Sequence, residues 1–417
     1  MKNIFWFLLI HIFALCGTFE VSAESYNSGC ITYLYNPNFG SEEPQASVSR
    51  ISWVSNTPKH IIIPEKIEID KVFYSVTSIE DNAADRLSAG IDSISIPNTV
   101  KVIGEYAFSK SNLRYIKIGS GVINIKNNAF KDCSYLKAVE IEDLEAWCKI
   151  VFGTRYSGGS TTSQMTYYEN ANPLRYGHKL YLKGQLVDEL IIPESITSIQ
   201  DCAFIGGFFR DIKFHHNLKG IGNSSFLNAE GLITLDLSES AVWGIGDYAF
   251  SQISTLETIK FSKNIGQIGL GAFAHDDNVK DIWCPAVEPP HVSFTSTIEP
   301  FYYVEFDKYN STYYTATLFI PQGSINSYKS AYIWGKFNNI IEDESMSGIL
   351  ETSYDDKIKV FSKNQTLFIN GTCYDIIRVF DTFGKQIYIG KDSEIHVPNN
   401  GIYLVSIGKS VYKILVS

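Results

Sequence analysis

Two short clusters of histidine and carboxylate residues are the first candidates for chemistry in this sequence. His215 and His216 are adjacent metal-ligand types, and His275-Asp276-Asp277 carries the donors of a divalent-ion site. Adjacent residues after a strand point to opposite sides, so the two histidines cannot chelate one ion together. The acidic cluster falls between two repeats, which favours a solvated turn. We therefore predict no metal site and no cofactor.

Catalysis has little support in the sequence. The Gly-x-Ser-x-Gly, His-Glu-x-x-His and Walker patterns are missing. A secreted enzyme remains an alternative, with its pocket in an irregular stretch at 142–187 that holds Glu142, Asp143, Glu145 and His178. These four residues follow no recognisable arrangement of nucleophile and base, so we predict that the protein is not an enzyme.

A repeated unit would position any site in this chain. Six times an isoleucine is followed five residues later by a phenylalanine with a small residue before it: Ile103–Phe108, Ile125–Phe130, Ile199–Phe204, Ile221–Phe226, Ile245–Phe250 and Ile268–Phe273. The phenylalanines recur at a nearly constant interval, except across one long gap between Phe130 and Phe204. Such a spacing is typical of a solenoid, in which each turn buries the apolar side of the next.

Each unit begins with a strand. Residues 91–96 alternate apolar and polar side chains, Pro97 ends the strand, and Gly104 allows a tight turn before the phenylalanine. The segment from the last apolar strand residue to the phenylalanine has the same length in five of the six units. In the unit that follows Leu237 it is longer by a single position, and we expect the additional residue near Trp243-Gly244.

Bulk properties agree with an ordered, exported protein. A formal charge of −10 and a pI near 5.4 argue against nucleic acid as a partner, because phosphate binding needs a basic stripe. Residues 1–23 have the positive start, apolar core and small-residue cleavage site of a signal peptide. The six later cysteines are scattered, so we expect buried single thiols.

The tail after residue 350 changes pattern. Seven short strand candidates at about ten-residue spacing predict a small β-sandwich. They are Ile358–Phe361, Thr366–Ile369, Ile376–Phe380, Gln386–Ile389, Ile395–Val397, Ile402–Ile407 and Val411–Val416.

The predicted organisation has four parts. They are a signal peptide at 1–23, an N-terminal cap at 24–60, a solenoid at 61–345 and a β-sandwich at 350–417. The solenoid includes the irregular insertion 142–187 and a C-terminal cap at 285–345, where four aromatic residues suggest a short amphipathic helix (Tyr328, Tyr332, Trp334 and Phe337). Caps are needed because the end of a solenoid would otherwise expose unpaired strands.

Two columns of strand residues are expected to point outward along one face of the array. Mixed charges with aromatic anchors suit a polar protein partner. The candidate partner-binding residues are Tyr115, Lys117, Glu140, Lys213, Asp236, Lys260 and Trp283. Ala138 falls in one of the columns. An ordinary solvated sheet is the alternative interpretation of this face.

The unit Ile96-Pro97 to Ala107-Phe108 resembles the BspA-type leucine-rich repeat of bacterial cell-surface proteins. The resemblance covers residues 61 to about 341, including Trp147-Cys148-Lys149-Ile150 and Asn172-Pro173-Leu174. It implies a leucine-rich-repeat solenoid with a parallel sheet on one face and irregular or short helical segments on the other. It also implies a secreted or cell-surface adhesin that binds host or bacterial proteins.

The tail resembles the C-terminal sorting domain of the type IX secretion route. The resemblance rests on Val379-Phe380-Asp381-Thr382-Phe383-Gly384-Lys385, Gly401-Ile402-Tyr403-Leu404-Val405 and Lys413-Ile414-Leu415-Val416. It implies contact with outer-membrane secretion machinery and display on the bacterial surface. The functional alternative to an adhesin is a carbohydrate-binding component of a nutrient-capture system, which would stack aromatic side chains on sugars.

Overall fold

The computed structural model describes most of the chain. The described residues are 23–38, 42–54, 56–87, 90–153, 170–295, 298–303, 312–346, 350–351, 359–363, 365–370, 376–381, 385–399, 401–407 and 410–416. The predicted signal peptide, apart from residue 23, lies outside them. The chain forms two compact units, one of residues 1–282 with 290–316 and one of residues 283–289 with 317–417.

In its described residues the first unit consists of many short strands and three short helices. The helices are α1 (Leu144–Cys148), α2 (Leu174–Gly177) and α3 (Thr312–Thr315). The strands are β1 (Glu24–Ser28), β2 (Ile31–Tyr35), β3 (Gln45–Ile51), β4 (His60–Ile62), β5 (Lys66–Ile69), β6 (Val72–Ile79), β7 (Ser93–Ser95), β8 (Val102–Ile103), β9 (Tyr115–Ile118), β10 (Asn124–Ile125), β11 (Ala138–Ile141), β12 (Val151–Phe152), β13 (Lys179–Leu182), β14 (Gln185–Leu186), β15 (Glu189–Ile191), β16 (Ser198–Ile199), β17 (Asp211–Lys213), β18 (Gly220–Ile221), β19 (Thr234–Asp236), β20 (Gly244–Ile245), β21 (Thr258–Lys260), β22 (Gln267–Ile268), β23 (Asp281–Trp283, which ends in the second unit), β24 (His291–Val292), β25 (Ile298–Glu299) and β26 (Tyr302–Tyr303).

These strands form a parallel β-solenoid of about ten turns, which confirms the predicted fold class. On the front of each turn lies one strand: β4, β7, β9, β11 and β13 pair in parallel, as do β15 with β17 and β19 with β21. A second parallel sheet contains β6, β8, β10 and β12, and then β16, β18, β20, β22 and β24. At the N-terminal end, β1, β2 and β3 are antiparallel, and β3 pairs with β6.

The repeated phenylalanines stack in the interior. Ring centroids of consecutive turns lie 5.1 Å apart for Phe108–Phe130, 5.3 Å for Phe204–Phe226, 5.2 Å for Phe226–Phe250 and 5.6 Å for Phe250–Phe273, with the rings nearly parallel. The row continues to Phe301, 5.3 Å from Phe273, which the six-fold pattern did not include. The small residue before each phenylalanine is fully buried, because the turns pack too closely for a larger side chain.

In four of the six repeats a glycine follows the isoleucine (Gly104, Gly222, Gly246 and Gly269), and close approach of backbones rather than a tight turn requires it there. A Cβ added to Gly246 would lie 2.6 Å from the backbone nitrogen of Asn223 in the preceding turn. The corresponding distances are 2.5 Å for Gly104 to Asp81 and 2.5 Å for Gly269 to Asp247. No side chain fits at such distances, so the glycine sets how closely consecutive turns pack.

The long gap between repeats contains turns of a different construction. Strand β11 is followed by α1, which begins with the Asp143 side chain accepting a hydrogen bond from the Ala146 backbone, and then by β12. Strands β13 and β14 form an antiparallel hairpin around Lys183-Gly184. The Gly- and Ser-rich residues 158–163, for which the sequence predicts a protruding loop, lie outside the described residues.

The additional residue in the Leu237 unit is not at Trp243-Gly244. Gly244 is in register with Gly220 on one side and Gln267 on the other, so the second sheet has no insertion there. The longer segment lies at 238–241, before the buried Val242. There the Ser240 hydroxyl donates a hydrogen bond to the Leu237 carbonyl oxygen within the longer turn.

The second unit begins with a parallel strand pair. Strand β27 (Thr317–Pro321) pairs with β28 (Asn339–Asp343), and helix α4 (Ile325–Ser330) and a 3-10 turn (Trp334–Lys336) connect them. Tyr328, Trp334 and Phe337 are buried as the predicted amphipathic helix requires, whereas Tyr332 is exposed. The Lys336 ammonium nitrogen lies over the Tyr332 ring instead, 4.4 Å from the ring centroid.

The tail forms two antiparallel sheets, in agreement with the predicted β-sandwich. All seven predicted strands are present, with small shifts of their ends: β30 (Lys359–Lys363), β31 (Thr366–Asn370), β32 (Ile377–Asp381), β33 (Gln386–Gly390), β34 (Glu394–His396), β35 (Gly401–Ile407) and β36 (Ser410–Val416). They are preceded by a 3-10 turn (Glu344–Met346) and β29 (Leu350–Glu351). The sheet orders are β29-β36-β35-β32-β33 and β30-β31-β34, and both sheets contribute to one buried apolar cluster.

The described cysteines are single thiols rather than disulfides, as expected. Cys133, Cys148, Cys202 and Cys284 are buried, and Cys30 is partly exposed. Burial raises the pKa of the Cys133 thiol to about 11, which keeps it protonated and unreactive at neutral pH. The sixth cysteine, Cys373, lies outside the described residues.

Candidate functional site

The outer face of the front strands carries most of the predicted partner-binding residues. In most front strands a buried residue, such as Ile116 in β9 and Leu235 in β19, lies between two neighbours that point away from the core. Because the strands pair in register, outward residues of successive turns form straight rows. The predicted columns are therefore present in part, because β13 lies beside β11 and places Lys179 and Tyr181 in the rows.

Lys117 is the centre of a first charged cluster. Register places it between Ser95 and Glu140, and its ammonium nitrogen lies 3.2 Å from a Glu140 carboxylate oxygen. A second ion pair joins Lys117 to Glu142. Hydrogen bonds to the Glu142 carboxylate, and then to Glu140, raise the pKa of Lys117. The cluster is half-exposed, so these pairs contribute little to stability but fix the lysine in place.

Tyr115 lies beside this cluster with 49% of its surface exposed. It is in register with Ser93 on one side and Ala138 on the other. Ala138 was expected to point to solvent in the same row, but it is buried. The reason is helix α2, whose Gly177 lies against the Ala138 backbone.

A second charged cluster contains Asp236, Lys260 and Lys213. Asp236 and Lys260 are in register, with 3.0 Å between the carboxylate oxygen and the ammonium nitrogen. Partial burial works to raise the pKa of Asp236, but hydrogen bonds from Ser238 and Lys260 outweigh it and lower that pKa. Lys213 pairs within its own strand, 2.5 Å from Asp211. The sequence therefore indicated the positions of these charges but not their pairing.

Trp283 belongs to the second unit and does not stand alone. Its indole stacks on the ring of Phe319, with centroids 4.2 Å apart and planes 10° from parallel. Phe319 is in register with the exposed Ile341 of β28. Two residues of this kind were missed in the sequence, Phe319 and Tyr181. Both are the outward member of a strand with alternating pattern, Leu318-Phe319-Ile320 and Leu180-Tyr181-Leu182, which is the signal that could have identified them.

The histidine and acidic clusters do not form a metal site in the described residues. The rings of His215 and His216 are 6.5 Å apart and nearly perpendicular. No group of three metal-ligating side chains is found in the described part of the chain. The expectation of a solvated turn at 275–277 is wrong for Asp276, which is fully buried and accepts a hydrogen bond from the Ile253 backbone. Burial raises the pKa of its carboxyl group well above the ordinary value.

The four polar residues of the irregular stretch have separate contacts. Glu142 pairs with Lys117, Asp143 caps α1, and Glu145 pairs with Lys149 at 2.5 Å. The His178 ring nitrogen Nδ1 lies 2.8 Å from the carbonyl oxygen of Gly206. Each of the four side chains thus has its own partner, and these contacts do not join the four into one cluster.

The repeat geometry defines the class of this protein as a leucine-rich-repeat solenoid. Residues 60–155 and 178–288 match the BspA type Leucine rich repeat region, in six copies. The matched residues, just under half of the chain, are thus similar to the BspA-type leucine-rich repeat. No curated protein sequence matches the chain. No helix of the described residues has the length and apolar character needed to cross a membrane.

Several solved structures have a similar repeat architecture. A leucine rich cell surface protein from Faecalibacterium prausnitzii A2-165 is 20% identical, over 65% of this chain and 79% of that one, with a TM-score of 0.35. The leucine-rich repeat protein of T. pallidum is 15% identical, over 61% and 91%, with a TM-score of 0.31. One from Bacteroides ovatus ATCC 8483 is 16% identical, over 76% and 100%, with a TM-score of 0.23. At such identities the likeness is one of fold alone.

Proposed function

We propose that this protein is an exported, non-catalytic adhesin that binds a protein partner through the outer face of its front strands. The observation that carries the proposal is the Tyr115–Lys117–Glu140 group. A half-exposed aromatic side chain lies beside charges whose positions are held by ion pairs. Leucine-rich-repeat proteins as a class bind other proteins, and the family match supports that general role here.

The chemistry of this face suits a polar protein surface. Lysines and carboxylates alternate along the rows, so a partner with complementary charges can replace the intramolecular pairs at small cost, because exposed ion pairs are weak. Tyr115 can then supply apolar contact area at the centre of such an interface. Lys213, Asp236 and Lys260 would extend the same interface toward the C-terminal turns. Trp283, in the second unit, is a separate aromatic candidate for partner contact.

Binding to purified matrix and serum proteins, measured by biolayer interferometry, tests the proposal. Tyr115→Ala and Lys117→Glu should each weaken binding by about tenfold or more, since an interface anchor typically contributes at least about 1.4 kcal/mol. Tyr135→Ala is the matched control, because Tyr135 is 61% exposed but lies in the turn before β11 rather than on the front face. A bound protein whose affinity is unchanged by both front-face variants would refute this assignment.

Export is the second part of the proposal. The signal-like residues 1–23 and the resemblance of the tail to a type IX sorting domain support secretion to the cell surface and contact with outer-membrane secretion machinery. Deletion of residues 350–417 should leave the protein inside the cell envelope, as judged by surface protease accessibility of whole cells. Surface exposure equal to that of the full chain would exclude a sorting role for the tail.

A further inference from the structure

Trp243 is an exposed indole on a different face of the molecule. It lies just before strand β20 of the second sheet, with 57% of its surface exposed. Its backbone is held on both sides, because its N–H donates to the Lys219 carbonyl oxygen and its own carbonyl oxygen accepts from Gly266 and Gln267. A large apolar side chain on an otherwise polar surface, fixed at its backbone, is typical of a contact site.

The lack of a side chain at Gly266 makes room for the indole. A Cβ added to Gly266 in the next turn would overlap Trp243 Nε1 and would lie 2.7 Å from Cε2. The pyrrole edge of the indole therefore occupies the space in which any other residue at 266 would project. This contact limits the orientations that the exposed ring can adopt, so little conformational freedom is left to lose on binding.

A row of outward-facing residues of the second sheet lies next to the indole. Two neighbouring positions of this row are glycines, and the residues on either side of them are polar. Register aligns Ser198, Gly220, Gly244, Gln267 and His291 on the outer face of successive strands. Gly220 and Gly244 have no side chain, and a Cβ added at Gly244 would meet no atom within 4 Å. A trough therefore runs beside Trp243. Its rim has a hydroxyl, an amide and an imidazole, but no carboxylate.

The chemistry of this trough fits a sugar better than a peptide. A pyranose ring has one face of C–H groups that packs on an aromatic ring, and hydroxyls around its edge that need hydrogen-bond partners. Trp243 offers the first kind of contact, and Ser198 and Gln267 offer the second. None of the five residues of the row is a carboxylate or a lysine, in contrast to the front face.

We propose that Trp243 and the adjacent glycine-lined trough bind a neutral saccharide. The site is separate from the proposed protein-binding face, since its residues lie on the second sheet rather than on the front strands. The ligand is an uncharged glycan, with one pyranose ring stacked on the indole and bonded to Gln267, and a neighbouring sugar residue along the trough within reach of Ser198.

Affinity gel electrophoresis of the full chain in gels containing β-glucan, xylan, galactomannan or glycogen tests the proposal. We expect retardation in at least one of these gels, at both low and high salt, because no charge contributes. Trp243→Ala should weaken that binding by about tenfold or more, which corresponds to the loss of one good contact. Gly244→Val should do the same by filling the trough, and we expect it to fold because a Cβ at this position has no atom within 4 Å.

Two controls separate this site from a general effect of exposed tryptophan. Trp53→Ala removes another indole, 55% exposed, that also lies against a glycine but is not in the second-sheet row, and it should leave retardation unchanged. Tyr115→Ala should also leave it unchanged, so failure of the protein-binding proposal does not affect the result. Mobility that is unaltered in every gel, or retardation insensitive to both Trp243→Ala and Gly244→Val, would overturn the saccharide site.

Discussion

The indole Nε1 of Trp147 donates a 3.0 Å hydrogen bond to the carbonyl oxygen of Ala203, which lies far along the chain in the next regular repeat. In the regular turns the equivalent carbonyl accepts from a phenylalanine backbone N–H of the preceding turn, as in Phe108 to Ala129 at 2.8 Å. Here the Asn172 side chain also donates to Ala203, at 2.9 Å. Two side chains thus replace the backbone contact where the repeat is interrupted.

Replacing Trp147 by phenylalanine should therefore destabilise the solenoid at the interrupted turn. The variant keeps most of the apolar volume but removes the indole donor, and we expect a loss of about 1–3 kcal/mol in the free energy of unfolding. Urea denaturation followed by circular dichroism measures it. Trp53→Phe, at an exposed position, is the control and should change the midpoint little. Equal midpoints for Trp147→Phe and the unaltered protein would show that the hydrogen bond contributes nothing.

Gly244 and Gly246 are close in sequence but differ in their surroundings. Alanine at each position tests whether the glycine is required by close approach of backbones. Alanine at Gly246 would place its Cβ 2.6 Å from the Asn223 nitrogen, whereas alanine at Gly244 meets nothing within 4 Å. We expect Gly246→Ala to cost about 1–3 kcal/mol through overpacking. Gly244→Ala should be neutral or stabilising by about 0.5 kcal/mol, because it reduces the freedom of the unfolded chain. Similar thermal midpoints for the two variants would contradict the packing argument.

Because the phenylalanine rings stack in a row, a cavity made in one turn should destabilise both neighbouring turns. Phe250 is fully buried between Phe226 and Phe273, so Phe250→Ala should cost about 3–5 kcal/mol. Hydrogen exchange should show increased opening of the amides of β18 and β22 on either side as well as of β20, since solenoid turns are stabilised by nearest neighbours. Exchange confined to the mutated turn would argue against this coupling.

The sequence predicted the repeat because one large residue per turn must occupy the same interior position. That is why the six Ile–Phe pairs and the seven tail strands could be located without coordinates. Phe301 was missed because the segment that separates it from Phe273 is longer than the regular interval. Ala138 was misplaced because the helix that covers it begins much later in the chain, at Leu174. Burial by a distant segment leaves no local pattern.

Asp276 illustrates the same limit within the candidate clusters. Its local sequence, His275-Asp276-Asp277, is typical of an exposed turn, and its two neighbours are exposed. Asp276 contacts a segment that comes later in the chain. The Thr312 hydroxyl donates a 3.3 Å hydrogen bond to the Asp276 carbonyl oxygen. No pattern around residue 276 could have indicated this contact. The pairing of Lys117 with Glu142 was missed for a related reason, because side-chain conformation is not encoded in strand periodicity.

The buried Asp276 carboxyl predicts a specific pH dependence of stability. Burial raises its pKa in the folded protein above the ordinary value of 3.8, so the folded state holds this proton more tightly than the unfolded state. The contribution to stability is complete below about pH 4 and falls as the pH rises, by up to about 1.4 kcal/mol per pH unit, until the folded-state carboxyl ionises. Asp276→Asn keeps an oxygen to accept from the Ile253 N–H and removes the ionisation.

The thermal midpoint of Asp276→Asn should therefore exceed that of the unaltered protein at neutral pH, and the difference should grow from pH 4 upward. Differential scanning calorimetry between pH 4 and pH 9 measures it. Asp277→Asn is the matched control, because Asp277 is the next residue and is exposed. Its curve should stay close to that of the unaltered protein, because the Asp277 charge is a smaller cause of the raised Asp276 pKa than burial is. If the Asp276→Asn curve is also parallel, the buried carboxyl is not the group that makes stability depend on pH.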